Sequence, residues 1–179
     1  MGFVEPTIVQ SMYIFKNPKI GGEVKPHTDN TYLRTKPLST CGIWIALDDA
    51  NQENGAMWGV PGSHRDTTKD FLVRRGQDCS YEPEEKKDYD IKDAVPLDAP
   101  KGTVVLLHGD FVHYSAHNTS KLPRHAYTFH IVEGQAHWEV DNWLQRGPQL
   151  PFRNMMNVDP SNRDPLYKEG RCAPSNPIS

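Results

Sequence analysis

Short apolar runs rich in β-branched and aromatic residues alternate along the chain with turns of Gly, Pro, Asn and Asp. TIVQSMYIFK (7–16) reads as a strand, after which 17–22 turn the chain. KPHTDNTYL (25–33) is a candidate strand or strand end. CGIWIALDDA (41–50) is a strand followed by the turn NQENG (51–55), and AMWGV (56–60) is a short strand closed by PGSH. Strands resume at GTVVLLHG (102–109), FVHYSAH (111–117) and RHAYTFHIVE (124–133). Between the two groups, 66–100 hold the charged run YEPEEKKDYDIKD and several prolines, which read as a solvated polar insertion. After about residue 145 the pattern fades, and 153–179 read as an irregular or disordered tail. The chain shows no internal repeat. The pattern predicts one mainly β domain over 1–152, a barrel or sandwich.

Composition narrows the function classes. A chain of 179 residues fits one domain, and 36% hydrophobic residues suffice for a lean core. A net charge of −3 gives no electrostatic reason to expect nucleic acid. No apolar run approaches the roughly 18 residues of a membrane span. MGFVEPTIVQ has neither the basic nor the apolar region of a secretory signal, and Pro6 breaks the myristoylation pattern. Cys41, Cys79 and Cys172 are odd in number and form no CxxC pair, so a reduced, cytoplasmic setting is expected rather than a thiolate zinc site.

The candidate chemistry lies in three His-x-Asp pairs: His27–Asp29, His64–Asp66 and His108–Asp110. In an extended strand, residues i and i+2 share a face, so His27 and Asp29 can converge on one point. His108–Gly109–Asp110 reads as a turn and His64–Asp66 follows PGS in a loop setting, which leaves both without paired strands. A second imidazole is needed, and His113, 86 residues on (113 − 27) in an apolar strand, is the best placed. Two imidazoles and a carboxylate suit iron(II), manganese or zinc, and the facial arrangement with open positions is that of non-haem iron oxygenases. Arg124 follows His113 by 11 residues (124 − 113), after a turn long enough to bring it onto a strand beside His113. Its planar guanidinium is a grip for a carboxylate cosubstrate, and Ser115, on the His113 strand face, can donate to the same carboxylate. His130 shares strand parity with Arg124 and faces the interior on that count.

The longer strings VQSMYIFKNP, GGEVKPHTDNTYL, GIWIALDDANQENGAMWGVPGSH, HGDFVHYSAHNTS and RHAYTFHIVE resemble the phytanoyl-CoA dioxygenase family. The resemblance runs from about Thr7 to Phe152. It implies a double-stranded β-helix, or jelly roll, lacking most of the family's N-terminal helical region. It implies iron(II) on His27, Asp29 and His113, and 2-oxoglutarate held by Arg124 and Ser115, with Trp44 lining its pocket and Met12 at the edge. Halogenating members replace the acidic ligand by a small residue; with Asp29 present the implied chemistry is hydroxylation of a small, lipid-like substrate with dioxygen. A sheet face left uncovered by the helical region implies self-association. Two rival readings are a non-catalytic ligand-binding β-helix module and a zinc-bound cupin-like hydrolase. Arg124 and Ser115 argue against the hydrolase, because hydrolysis needs no dicarboxylate cosubstrate.

Overall fold

A computed structural model describes residues 2–84 and 88–157. Among them, helical structure is confined to short 3-10 turns, and the rest is strand and loop. In chain order the strands are β1 (Pro6–Lys16), β2 (Val24–His27), β3 (Thr35–Lys36), β4 (Cys41–Ala46) and β5 (Met57–Gly59). They continue as β6 (Phe71–Arg75), β7 (Asp78–Glu82), β8 (Val95–Leu97), β9 (Val104–His108) and β10 (His113–Ser115). The last three are β11 (Arg124–Glu133), β12 (His137–Trp138) and β13 (Arg153–Asn154).

Two antiparallel sheets form the jelly roll. The larger has the order β13-β1-β11-β4-β9 and the smaller β2-β10-β5-β8. Alternation of side chains sorts the larger sheet into two faces. Opposed pairs Met12↔Thr128, Ile14↔Ala126 and Lys16↔Arg124 join β1 to β11, and Thr128↔Trp44 and Ala126↔Ala46 carry the same face onto β4. A register shift between Ile8 and Gln10 tucks Val9 into the core as an extra residue, as a β-bulge does. The inner face packs Trp44, Ala46, Ala126 and Leu107 against Ala50, Ala56, Met57 and Ala99. Alanines let the sheets approach closely, and Trp44 fills the space they leave. The other face carries Tyr13, Phe15, Tyr127, Val104 and Leu106, all exposed. No helix among the described residues is long and apolar enough to cross a membrane.

Three sequence expectations change. The strand expected over 25–33 stops at His27, and Asp29–Thr31 form a 3-10 turn. The polar segment 66–100 is not a mere loop: β6 and β7 pair as a hairpin, and β8 pairs with β5 as the edge of the smaller sheet. Asp78, Cys79 and Ser80 of β7 are exposed, so that hairpin lacked an apolar stripe to announce it. Within the expected tail, Arg153–Asn154 pair with Thr7 and Ile8; residues 158–179 lie outside the described residues.

Candidate metal centre and buried cation pair

His27 and His113 are register partners on the antiparallel strands β2 and β10, which puts their rings 4.3 Å apart. Thr28 between His27 and Asp29 is extended (φ −116°, ψ 148°), so Asp29 returns to the side of His27 although it opens a 3-10 turn. Ligand atoms of His27, Asp29 and His113 all lie within 4.8 Å of one another. The Nε2 atoms of His27 and His113 stand 3.9 and 3.7 Å from Asp29 Oδ1.

The donor set fits a divalent ion on three observations. His27 Nδ1 donates to Lys25 O at 2.8 Å and His113 Nδ1 to Phe111 O at 2.9 Å. Both rings are thereby held in the tautomer that turns an unprotonated Nε2 toward the site. Asp29 Oδ2 is buried and has no hydrogen-bond partner, a costly state for a carboxylate oxygen unless a cation meets it. Gly42 makes its room: a Cβ there would stand 2.8 Å from Asp29 Oδ2. Burial alone would raise the Asp29 pKa, but His113, His130 and His27 outweigh it and hold the carboxyl down at about 2. His130, opposite Gly42 on the inner face, brings its Nε2 to 3.4 Å from Asp29 Oδ1.

The two rival pairs lack this setting. His64 and Asp66 lie at a 3-10 turn outside the core, with Asp66 exposed. Asp110 is committed elsewhere, accepting from Asn30 Nδ2 (2.8 Å), Thr68 N (3.0 Å) and Thr68 Oγ1 (2.7 Å).

Arg124 does not lie beside His113, as the spacing suggested. Its strand β11 belongs to the larger sheet, between β1 and β4, while His113 stands in the smaller one. The side chain reaches across: Nε and Nη2 donate to Gly55 O at 3.1 and 2.6 Å. Arg124 is 1% exposed, forms no ion pair among the described residues, and sits 5.8 Å from the Trp44 ring. Trp44 Nε1 is buried without an acceptor. Burial holds the Arg124 pKa down at about 10. Ser115, on the His113 face of β10, is buried, and its Oγ accepts from Lys16 Nζ at 2.6 Å. Met12 is apart from this group and exposed. It lines a cavity of about 280 Å³ with Val24, Tyr32, Leu33 and Trp143 that opens onto His27, Asp29 and His130. Sequence reasoning missed Lys16 and Gly42. Lys16 ends an apolar run where a lysine normally marks a solvated strand end, and only its register opposite Arg124 reveals it.

The family described as Phytanoyl-CoA dioxygenase matches residues 2–126. Phytanoyl-CoA dioxygenase domain-containing protein 1 of Danio rerio is 49% identical over 157 residues, 85% of this chain and 54% of that protein. The chain thus spans about half the length of the curated relatives it matches. Among solved structures, the non-heme alpha ketoglutarate dependent carbocyclase SnoK from nogalamycin biosynthesis is 25% identical with a TM-score of 0.65, covering 83% of this chain and 63% of that one. The epimerase SnoN in complex with Fe3+, alpha ketoglutarate and nogalamycin RO has a TM-score of 0.60 at 18% identity, a likeness of fold, covering 83% of this chain and 65% of that one. With one family profile running through β1, β4 and the start of β11, and near-half identity to a curated member, the chain belongs to the phytanoyl-CoA dioxygenase family.

Proposed function

We propose that the chain carries the catalytic β-helix of an iron(II)- and 2-oxoglutarate-dependent dioxygenase that hydroxylates a C–H bond of a small, lipid-like substrate. The observation that carries the reading is the convergence of His27, Asp29 and His113, whose ligand atoms lie within 4.8 Å. Membership of a dioxygenase family, and a likeness to the alpha ketoglutarate dependent SnoK, support the same class. The apolar walls of the cavity over His27 and Asp29 favour an apolar substrate group.

In this reading His27, Asp29 and His113 would hold the iron through two neutral imidazoles and one carboxylate. The Lys25 and Phe111 carbonyls fix the ring orientations from behind. Arg124, Ser115 and Trp44 would hold the distal carboxylate of 2-oxoglutarate. Met12 forms the rim on the substrate side. Iron and 2-oxoglutarate, once bound, supply with dioxygen the oxidising power for hydroxylation, giving succinate and carbon dioxide. The packed apolar inner face around Trp44 and Leu107 would keep water from a cosubstrate bound beside it.

The test is succinate formation from 2-oxoglutarate in air with added iron(II). Iron-dependent succinate, lost in His113→Ala, is expected. A folded chain that binds iron and 2-oxoglutarate yet forms no succinate, with or without candidate lipids, would refute the catalytic reading.

A further inference from the structure

The larger sheet places two cations directly opposite each other on its inner face. Lys16 and Arg124 are Cα partners across β1 and β11, and their exposures are 2% and 1%. Like charges at directly opposed positions destabilise a sheet even at a surface. Here both are buried, and neither forms an ion pair with a carboxylate among the described residues. The hydrogen bonds they make go to neutral oxygens: Lys16 Nζ to Ser115 Oγ and Ala116 O, Arg124 to Gly55 O. Both Arg124 hydrogen bonds go to the one Gly55 carbonyl, and beside the guanidinium Trp44 Nε1 is a buried donor with no partner among the described residues. Donors and positive charge are in surplus, and what is missing is an anion.

We infer that Lys16 is a second cationic arm of the carboxylate subsite, acting on the ligand through its charge and through Ser115. This rests on the proposed 2-oxoglutarate reading and extends it to a residue outside that set. The Lys16 ammonium donates to Ser115 Oγ, which occupies an acceptor lone pair and leaves the Ser115 O–H free to donate onward. Ser115 is two strand residues from His113, about 7 Å along β10. An extended five-carbon dicarboxylate bridges such a span from the metal ligands to the cationic pair. A one-carboxylate 2-oxo acid reaches the metal but leaves both cations unanswered, so the pair selects dicarboxylates.

The geometry around Lys16 is built rather than incidental. Its stem passes two glycines that a side chain would block: a Cβ at Gly21 would stand 2.5 Å from Lys16 Cγ, and one at Gly55 2.9 Å from Lys16 Cδ. Burial first and Arg124 second hold the Lys16 pKa down at about 8, against a smaller opposing pull from Glu23. That is the electrostatic signature of a cation waiting for a counter-ion.

The experiment titrates 2-oxoglutarate and 2-oxopentanoate, which has the same carbon chain without the distal carboxylate, into the anaerobic iron(II)-loaded chain. Lys16→Met is expected to weaken 2-oxoglutarate by about tenfold or more while leaving 2-oxopentanoate unchanged, because only the diacid meets the lost charge. Lys16→Gln, which keeps hydrogen bonding to Ser115 and Ala116, serves if the methionine variant fails to fold and is expected to show the same loss of discrimination. Lys16→Arg should restore it. Unchanged 2-oxoglutarate affinity in the folded variants overturns the inference, as does equal weakening of both acids, which marks a structural role. If only Arg124→Met weakens the diacid, Lys16 falls and the cosubstrate reading stands. If the wild-type chain prefers neither acid, both fall.

Discussion

Asp29 and Asp110 are both buried aspartates of His-x-Asp pairs, yet the structure assigns them opposite energetics. Substituting each by alanine should separate metal binding from stability. Asp110 gathers three donors, Asn30 Nδ2, Thr68 N and Thr68 Oγ1. Asp110→Ala strands Asn30 Nδ2 and Thr68 N, at about 1–3 kcal/mol for each buried unsatisfied group, while Thr68 Oγ1 keeps Thr28 Oγ1 at 2.8 Å. Allowing for partial relaxation, the loss is about 3 kcal/mol, and at about 2–4 °C per kcal/mol for a chain of this size the melting temperature falls by about 6–12 °C. Asp29 Oδ1 meets His130 Nε2 at 3.4 Å and Oδ2 bonds nothing, so Asp29→Ala should lower the metal-free melting temperature less than Asp110→Ala does.

Iron(II) reverses the order. An ion at a hundred times its dissociation constant stabilises the folded chain by about 2.7 kcal/mol, or about 5–11 °C. Wild type and Asp110→Ala should both gain that increment in anaerobic thermal melts; Asp29→Ala should gain none. Asp66→Ala, at an exposed site, should match wild type in both respects. Loss of the increment in Asp110→Ala with its retention in Asp29→Ala would refute the ligand set and the reasoning from the orphaned Oδ2.

Arg124→Met should weaken 2-oxoglutarate by about 2–5 kcal/mol with little change in iron affinity, followed by the metal-to-ligand charge-transfer band; an unchanged dissociation constant removes Arg124 from the site. Gly42→Ala drives a methyl to 2.8 Å from Asp29 Oδ2 and should lower iron affinity by about tenfold or more in an anaerobic titration; full iron affinity would show that the carboxylate has another seat. The Lys16 pKa of about 8 lies below the ordinary 10.5, so between these values the unfolded chain binds more protons and Lys16 makes stability rise with pH. Arg124 and Glu23 are the charges acting on it, and the stability of wild type relative to Lys16→Met, from denaturant unfolding, should climb from pH 8 to 10; a flat difference refutes the depressed pKa. Exposed Tyr13, Phe15, Tyr127, Val104 and Leu106 on one sheet face should make the chain self-associate, with Phe15→Lys shifting light-scattering mass toward monomer; a monomer at all concentrations refutes this.

The strands of the larger sheet were legible because β1, β4, β9 and β11 are runs of β-branched and aromatic residues, and such runs depend little on partners. His27, Asp29 and His113 could be singled out because period two makes i and i+2 neighbours, and the extended Thr28 preserves that relation past the strand end. Pairing partners were not legible. Arg124 follows His113 closely in sequence, which suggested adjacent strands, but the chain crosses to the other sheet between them. Lys16 was hidden for the same reason, since its meaning lies in the residue opposite, 108 positions away (124 − 16). The β6–β7 hairpin is held by backbone pairing, its own and that of Val73 and Arg74 with 141–142, and leaves much of β7 exposed, so hydrophobic pattern carried little signal for it.

The proposed site has a charge logic that links its two ends. With neutral imidazoles, the charged groups of the proposed site itself are Lys16, Arg124 and Asp29, a net of one positive charge. An iron(II) ion alone raises this by two, and a dianion alone drives it to one negative. Together they return the interior to its starting value. In a low-dielectric interior each step away from that value is costly, so ion and dicarboxylate bind more tightly in each other's presence than alone. In the proposed site that coupling would be reciprocal. Removing either cation therefore costs more than one hydrogen bond: a dianion bound alone would drive the site to two negative charges rather than one.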